Sequence, residues 1–253
     1  MNVFITGASS GLGEALARHY AARGAVLGLF ARRADALQGL AAQLEPARVL
    51  TYPGDVRDAA ALLSAGADFL QRCGAPDVVI ANAGVSRGVL TDHVEDLAMF
   101  REVLDTNVLG LVHTFAAFLP AMRARRTGVL AGVASLAGFR GLPGSGAYSA
   151  SKAAAIAYLE SLRVELAGSG LAVVTICPGY IATPMTARNP YRMPFMMKPE
   201  AAARSIARAI DRRRRFHVLP WPMALVGAGL RLLPRAWYDR AFAKAPRKPR
   251  QGE

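Results

Sequence analysis

Three side chains in this sequence have types and spacings suited to proton transfer. Tyr148 and Lys152 stand four positions apart, and Ser135 precedes the tyrosine by thirteen residues. Side chains four positions apart on a helix lie on one face, one turn apart. Lysine occurs only at positions 152, 198, 244 and 248, and the remaining cationic side chains are arginines. A lysine where arginine is the default indicates a compact ammonium with a specific task.

These three groups suit the interconversion of a carbonyl and an alcohol. A carbonyl that accepts a hydride needs a proton donor beside the developing alkoxide. A tyrosine hydroxyl can supply that proton if its pKa falls well below the usual value of about 10. The ammonium of Lys152 would stabilise the phenolate and lower the pKa of Tyr148. The hydroxyl of Ser135 would hydrogen-bond the substrate oxygen and hold it near Tyr148.

The elements that must position these side chains begin with a strand and a glycine turn. The apolar run 2–6 is typical of a strand, and Gly7-Ala-Ser-Ser-Gly11-Leu-Gly13 follows it. A helical pattern then continues to Gly24, and residues 25–30 form a second strand pattern. Strand, glycine turn, helix and strand make the first unit of a dinucleotide-binding fold. The glycines let the backbone approach a pyrophosphate, and the helix amino terminus attracts its charge.

Two arginines follow the second strand, where an NAD-specific site carries an acidic residue. That acid would hold the ribose hydroxyls, but here Ala31 ends the strand and Arg32 and Arg33 follow. A guanidinium can bind a 2′-phosphate through two hydrogen bonds, which selects NADP. Arginine is also the ordinary surface residue of this chain, so one of the two can be solvated charge. The pattern favours NADP(H) over NAD(H), with Arg32 as the phosphate contact.

Strand patterns and helix patterns alternate along the rest of the chain. This alternation predicts a Rossmann-type, doubly wound α/β fold of about seven parallel strands, in the order 3-2-1-4-5-6-7, with helices on both faces. Functional groups should cluster beyond the carboxyl ends of the strands. The predicted strands are residues 2–6, 25–30, 48–52, 77–80, 128–134, 171–176 and 216–219. The predicted helices after the second strand are residues 34–44, 57–72, 95–104, 106–125 and 148–167.

One predicted helix, residues 106–125, begins with an uncharged run that approaches the length of a membrane span. Asn107, His113, Thr114 and Pro120 interrupt the run. A buried or dimer-forming helix therefore explains it better than a span does.

Cysteine and histidine are too sparse to predict a metal site or a disulfide framework. Cys73 and Cys177 stand far apart, and no pair of histidines has metal-ligand spacing. Two cysteines are compatible with a reducing cytoplasm, and no signal peptide is visible ahead of the first strand. We expect a cytoplasmic protein without a bound metal.

The positive charge is concentrated at the carboxyl end. Of the formal net charge of +13, residues 212–253 carry +9, from eleven Lys and Arg against two acids. This distribution does not describe a nucleic-acid-binding surface. We divide the chain into a catalytic domain, residues 1–219, and a basic apolar-aromatic extension, residues 220–253. The extension either lies on an anionic membrane surface or packs over the substrate pocket or a partner subunit, and residues 245–253 are predicted to be disordered.

In its motifs the chain resembles the single-domain short-chain dehydrogenase/reductase family, from residue 2 to about residue 211. The residues that carry the resemblance are Thr6-Gly-Ala-Ser-Ser-Gly11-Leu-Gly13, Asp55, Asn82-Ala-Gly84, Asn107, Ser135, Tyr148-x-x-x-Lys152, Pro178-Gly179 and Thr183. Ala81 departs from the family, which often has asparagine there; the backbone role of that turn is unaffected. The resemblance implies a catalytic tetrad of Asn107, Ser135, Tyr148 and Lys152, in which Asn107 holds a water that joins Lys152 to solvent.

The resemblance also implies the contacts of the cofactor. Asp55 and Val56 would meet the adenine, and Thr183 would meet the nicotinamide amide. The expected cofactor-binding residues are Gly7, Ser9, Ser10, Gly11, Leu12, Gly13, Arg32, Arg33, Asp55, Val56, Asn82, Ala83, Gly84, Tyr148, Lys152, Pro178, Gly179, Ile181 and Thr183. The family favours dimers or tetramers, so a homodimer or homotetramer is expected.

We therefore predict an NADP(H)-dependent oxidoreductase acting on a small or medium substrate. Met185, Met193, Met196 and Met197 follow the sixth strand, where the family has a lid, and they suit an apolar pocket or ordinary packing of a lid helix. Four alternatives stay open: an isomerase or epimerase, a ketoreductase of carrier-bound acyl groups, a non-catalytic NADP-sensing protein, and a membrane-recruited scaffold.

Overall fold

Seven strands form one all-parallel sheet in the computed structural model, which describes residues 1–187 and 189–250. Their order across the sheet is β3-β2-β1-β4-β5-β6-β7, as the alternating pattern predicted. The strands are β1 (Asn2–Thr6), β2 (Val26–Ala31), β3 (Val49–Pro53), β4 (Val78–Ala81), β5 (Gly128–Val133), β6 (Leu171–Pro178) and β7 (Phe216–Leu219). The carboxyl ends of all these strands meet at one edge, where the predicted site residues follow them.

Helices cover both faces of the sheet because successive side chains of each strand point to opposite faces. On β1, Val3 and Ile5 enter one apolar cluster, and Phe4 enters the cluster on the other face. The helices are α1 (Gly11–Ala21), α2 (Ala34–Gln43), α3 (Ala59–Cys73), α4 (Asp96–Leu104), α5 (Gly110–Ala116), α6 (Leu119–Arg125), α7 (Gly146–Glu165), α8 (Pro199–Asp211), α9 (Pro222–Leu232) and α10 (Arg235–Phe242). Helices α1, α2 and α8 pack in the first cluster, and α3, α5 and α7 pack in the second.

The prediction of one helix over residues 106–125 is wrong. A π-helical turn, Asp105–Leu109, joins α4 to α5, and the chain bends before α6. Pro120 lies in the first turn of α6, where its missing N–H costs no helical hydrogen bond. Within the described residues no single helix could cross a membrane; α4 through α5 passes that test by length and composition only together with α6, across a bend of 43°.

The carboxyl-terminal extension packs against the loop that follows β5. Gly227 of α9 lies against Phe139, and Tyr238 of α10 donates a hydrogen bond to the carbonyl of Gly141. Large apolar side chains of this extension remain exposed, namely Trp221, Leu225, Leu232 and Trp237.

The prediction that residues 245–253 are disordered is wrong for residues 245–250, which the structure describes. Arg250 makes an ion pair of 2.9 Å with the buried carboxylate of Asp96, which a sequence pattern of basic residues cannot reveal. Residues 251–253, which the same prediction covered, lie outside the described residues.

We predict that two glycine-to-alanine substitutions shift stability in opposite directions. A Cβ at Gly28 on β2 would lie 2.7 Å from a ring carbon of Phe69, inside the close-packed core. Gly28→Ala should therefore lower the free energy of unfolding by about 1–3 kcal/mol. Gly39 on α2 is exposed with open space around it, so Gly39→Ala should raise that free energy by up to about 1 kcal/mol. Urea unfolding measures both, and a stabilising Gly28→Ala would contradict the packing.

Candidate active site

The glycine turn between β1 and α1 forms the floor of the candidate site. Gly7 and Gly11 have φ angles of +66° and +59°, which residues with a side chain rarely adopt. A Cβ at Gly13 would collide with the carbonyl oxygen of Gly7, so only glycine lets α1 start this close to the turn. The amino terminus of α1, with its positive dipole end, therefore lies directly at the turn.

Asn82 braces this turn from the neighbouring strand. Its side-chain amide donates hydrogen bonds to the carbonyls of Thr6, at 3.0 Å, and Gly7, at 3.3 Å. The hydroxyl of Thr6 accepts in return from the backbone N–H of Asn82, at 3.2 Å. The side chain predicted as a cofactor contact thus holds the backbone of the glycine turn in shape.

A cavity of about 580 Å³ opens above the turn. The structure brings every predicted site residue to its wall except Asn107. The predicted residues in the wall are Gly7, Ser9, Ser10, Gly11, Leu12, Gly13, Arg32, Arg33, Asp55, Val56, Asn82, Ala83, Gly84, Ser135, Tyr148, Lys152, Pro178, Gly179, Ile181 and Thr183. Residues with no assigned role also line it, among them Ser86, Arg87, Met185 and Lys248.

The described residues of this cavity fit a dinucleotide. The glycines leave room for a pyrophosphate at the start of α1, and Arg32 and Arg33 reach the wall from the end of β2. Arg33 donates hydrogen bonds to the carbonyl of Ser9, at 3.0 Å, and to its hydroxyl, at 3.2 Å.

Asp55 reaches the same end of the cavity from the loop after β3. Its carboxylate is ion-paired with Arg57 at 2.7 Å. The hydrogen bond from Arg57 lowers the pKa of Asp55, and the nearby Arg32 lowers it further. The negative charge of Asp55 is therefore balanced by Arg57 within the same loop, and Asp55 lies at the same end of the cavity as Arg32 and Arg33.

Asn107 lies just behind the cavity wall, on the π-helical turn. Its Oδ1 accepts from the backbone N–H of Val85 at 2.8 Å, and its Nδ2 donates to the carbonyl of Val85 and the hydroxyl of Ser151. The side chain is 1% exposed and fully engaged. Asn107 thus ties the loop after β4 to α7, and its expected role in holding a water stays a prediction.

Tyr148, Ser135 and Lys152 meet where α7 passes the end of β5. The side chains of Ser135 and Tyr148 lie next to each other in the cavity wall, and the Ser135 hydroxyl accepts from the backbone N–H of Ala137 at 3.1 Å. Lys152 is buried, and its Nζ donates to the carbonyl of Val133 at 2.8 Å. The ammonium lies 5.8 Å from the centroid of the Tyr148 ring.

Burial dominates the pKa values of this pair. It raises the pKa of Tyr148, against the neighbouring Ser135 hydroxyl, which lowers it. It also lowers the pKa of Lys152, to about 8. The expected net lowering of the Tyr148 pKa is therefore wrong: burial prevails, and the Lys152 ammonium hydrogen-bonds the carbonyl of Val133 and not the phenol oxygen. Tyr148 keeps its proton at neutral pH, so it holds the proton that a carbonyl oxygen would receive.

The segment after β6 covers one side of the cavity, and its described residues, 179–187 and 189–198, form no lid helix before α8. Thr183 packs on Gly11, and Ile181 pairs with Met197 in an isolated bridge. Of the four methionines in this segment, only Met185 lines the cavity. The expectation of an apolar pocket thus rests on one methionine.

Sequence reasoning missed residues that act through others. Ser151 fixes Asn107, and Thr6 fixes Asn82. Thr6 belongs to the motif that carries the family resemblance, but the sequence gives no sign of either contact, because each joins segments distant along the chain. Lys248 had such a signal, since lysine is rare in this chain, yet it fell within the region predicted to be disordered.

Comparison with known proteins places this geometry in a family. The short chain dehydrogenase family model matches residues 1–192. An uncharacterized oxidoreductase of Myxococcus xanthus is 40% identical over 239 residues, which is 94% of each chain. The dehydrogenase/reductase SDR family member 7B of Bos taurus is 35% identical and aligns with 99% of this chain and 83% of the bovine one.

Solved structures agree with the sequence relatives. A short-chain dehydrogenase from Streptomyces avermitilis superposes with a TM-score of 0.81 at 28% identity, covering 95% of this chain and 94% of that one. An alcohol dehydrogenase from Thermococcus sibiricus, complexed with 5-hydroxy-NADP, superposes with a TM-score of 0.77 at 28% identity, covering 86% and 95%. With the glycine turn, the Ser135–Tyr148–Lys152 group and the sheet order in place, this chain belongs to the short-chain dehydrogenase/reductase family of oxidoreductases.

Proposed function

We propose that this protein is an NADP(H)-dependent oxidoreductase that interconverts a carbonyl and an alcohol on a small or medium substrate. The observation that carries the proposal is the position of Tyr148. Its side chain lies beside Ser135 in the wall of the same cavity as the glycine turn. A proton donor and a dinucleotide-shaped cradle in one cavity are what a hydride transfer to a carbonyl requires.

The chain's own residues would hold the cofactor along the cavity. The backbone from Gly7 to Gly13 and the start of α1 would bind the pyrophosphate, and Arg32 would bind a 2′-phosphate. Lys152 and Thr183 would hold the nicotinamide end. NADPH bound there would supply the hydride.

The proton comes from the tyrosine in the proposed mechanism. Ser135 holds the substrate oxygen beside Tyr148 and limits its orientation. Tyr148 gives its phenolic proton to that oxygen as negative charge develops on it. Lys152 as an ammonium stabilises the phenolate that remains, and Asn107 keeps α7 and the loop after β4 in register around it. Met185 offers an apolar contact to the body of the substrate.

Removing the Tyr148 hydroxyl tests whether the protein is an enzyme or a non-catalytic cofactor-sensing protein. Tyr148→Phe should lower kcat for NADPH-dependent carbonyl reduction by about 100-fold or more, because it deletes the proton donor. NADPH affinity, from fluorescence titration, should stay within about twofold. Tyr158→Phe, on the same helix and outside the cavity, is the matched control and should keep full activity. Undiminished turnover in Tyr148→Phe would remove the proposed role.

Cofactor choice should depend on the arginine at the end of β2. We expect wild-type protein to bind NADPH more tightly than NADH by at least about tenfold, or about 1.4 kcal/mol. Arg32→Ala should abolish that preference by weakening NADPH binding alone. Arg33→Ala tests the alternative, since Arg33 already hydrogen-bonds Ser9, and the exposed Arg212 provides the control substitution Arg212→Ala. Equal binding of both cofactors by wild type would assign the enzyme to NAD(H).

The pH dependence should follow Lys152. Its pKa of about 8 means that the ammonium is present below pH 8 and is lost as the pH rises above it. We expect kcat/KM for NADPH to be constant below pH 8 and to fall about tenfold per pH unit above it, because this ratio reports groups of the free enzyme. Burial raises the pKa of Cys177 to about 12 and also raises that of Tyr148, so neither thiol nor phenol titrates there.

The matched variant for this profile is Lys152→Arg. Its guanidinium keeps its proton throughout the range, so whatever activity remains should show no step near pH 8. A wild-type profile that stays level well above pH 8 would contradict the role given to the ammonium.

A further inference from the structure

The outer face of α9 is a stripe of apolar side chains that the rest of the protein does not cover. The stripe begins at the residue before the helix and recurs at intervals of four, three and four residues, as Trp221, Leu225, Ala228 and Leu232. These spacings place the four side chains on one face of the helix. Trp221, Leu225 and Leu232 are 75%, 68% and 83% exposed, and Ala228 is exposed as well. An uncovered face of this kind marks a contact with another apolar surface.

The opposite face of α9 holds the helix on the protein. Gly227 packs on the ring of Phe139, in the loop after β5, and Met223 is buried beside Gly179, the residue after β6. Arg231 places its guanidinium over the same Phe139 ring, 5.0 Å from the ring centroid. The helix is therefore folded and oriented before any partner arrives, which lowers the entropic cost of binding through its outer face.

Exposed cationic side chains lie on both segments that flank α9. The ring of Phe139 also lies 6.0 Å from that of Phe216, the first residue of β7, so the arginines before β7 lie near the second half of α9. On the other side, α10 follows α9 after two residues. The acids of these segments are Asp211, which is ion-paired with Arg23 at 3.0 Å, and Asp239. The exposed cations are Arg212, Arg213, Arg214, Arg215, Arg235, Arg240 and Lys244.

The positive charge of these flanking segments is not compensated within the described chain. None of the seven cations forms an ion pair with a residue that the structure describes. The surface around α9 therefore combines an apolar stripe with free positive charge on both sides.

The surface of an anionic bilayer matches both properties. The helix has eleven residues, whereas a membrane span needs about 20, so α9 would lie in the plane of the surface with its outer face among the acyl chains. The indole of Trp221, at one end of the stripe, suits the headgroup region. The guanidinium and ammonium groups would meet anionic headgroups.

A second copy of the chain matches this surface less well. A twofold interface joins the same surface of both subunits, so the cations that flank α9 would face their own copies. Like charges brought together in this way oppose association. The same charges favour a bilayer that carries the opposite sign.

We propose that α9 and its flanking cations bind this protein to the surface of a bilayer that contains anionic lipid. The stripe from Trp221 to Leu232 enters the apolar layer, and the cations contact the headgroups. This binding goes beyond the proposed function and does not depend on it, because none of the residues that it uses lines the candidate active site.

The two tryptophans of the chain report on this contact directly. Trp221 and Trp237 are the only ones in the sequence, and both are exposed on the extension. Trp237→Phe leaves Trp221 as the single reporter. Vesicles of equal parts phosphatidylcholine and phosphatidylglycerol should shift its emission to shorter wavelength, and lipids brominated on the acyl chains should quench it. Flotation of the full chain should give a partition coefficient at least about tenfold larger for these vesicles than for pure phosphatidylcholine.

Substitutions on the stripe test the apolar part of the contact. Leu225→Gln and Leu232→Gln should each weaken partition into the anionic vesicles by about tenfold or more, because a large apolar side chain no longer enters the acyl layer. Leu63→Gln, at an exposed leucine of α3, is the matched control and should bind as wild type does. NADPH affinity of each variant, which should be unchanged, shows that the fold is intact.

Substitutions on α10 test the contribution of charge independently. Arg235→Gln combined with Arg240→Gln should weaken partition into the anionic vesicles by about tenfold or more and leave the weak partition into phosphatidylcholine unchanged. Arg123→Gln, at an exposed arginine of α6, is the matched control and should have no effect. Added salt should weaken wild-type binding more than that of the double variant.

Three outcomes would overturn the inference. The first is wild-type protein that binds neither kind of vesicle, or binds both equally. The second is retention of full vesicle binding by both Leu225→Gln and Leu232→Gln, which would assign the contact to another surface. The third is wild-type protein that ignores vesicles while Leu225→Gln reduces its assembly size in analytical ultracentrifugation, which would make the stripe an interface between copies of the chain. Failure of wild type to bind NADPH would remove the proposed function and leave this inference standing.

Discussion

The geometry of the candidate site depends on how one buried ammonium is satisfied. Lys152 is 4% exposed, and a buried charge is costly unless a polar partner replaces its water. The carbonyl of Val133, the last residue of β5, is that partner at 2.8 Å. This hydrogen bond fixes the position of α7 relative to the carboxyl end of β5. Tyr148, one turn earlier on α7, is thereby held beside Ser135, which follows β5 two residues after Val133.

The same helix controls the neighbouring loops. Ser151 receives a hydrogen bond from Asn107, which holds Val85 through both its backbone groups. Gly84 lies beside these side chains: a Cβ added at this position would lie 3.1 Å from Oδ1 of Asn107. The loop after β4, the π-helical turn and α7 are thus one hydrogen-bonded unit. A change in any of them would displace the tyrosine hydroxyl relative to the glycine turn, and catalysis is sensitive to such displacements.

The carboxyl-terminal extension completes the site by packing and by charge. Met223 contacts Gly179 at the end of β6, and α9 covers Phe139 in the loop after β5. Beyond α10 the chain turns back until Arg250 meets Asp96. The Arg250 guanidinium lowers the pKa of Asp96, so this ion pair keeps its charges at neutral pH. Through Lys248 the extension contributes one side chain to the wall of the cavity at the sheet edge.

Local patterns were sufficient to predict the fold and most of the candidate site. Strand and helix periodicity predicted a parallel sheet with helices on both faces, and the Rossmann-type assignment from the glycine turn added the strand order. The glycine turn and the Tyr148–Lys152 spacing indicated that the site residues lie at one edge of the sheet, because those residues follow strands or share a helical face. Tertiary structure alone decided the hydrogen bonds of Asn107 and the position of Lys248. Each depends on partners distant in sequence, namely Val85 and Ser151 for Asn107, and the ion pair of Arg250 with Asp96 for Lys248. Burial likewise set the pKa values of Tyr148 and Lys152, and burial is a property of the folded chain that spacing does not contain.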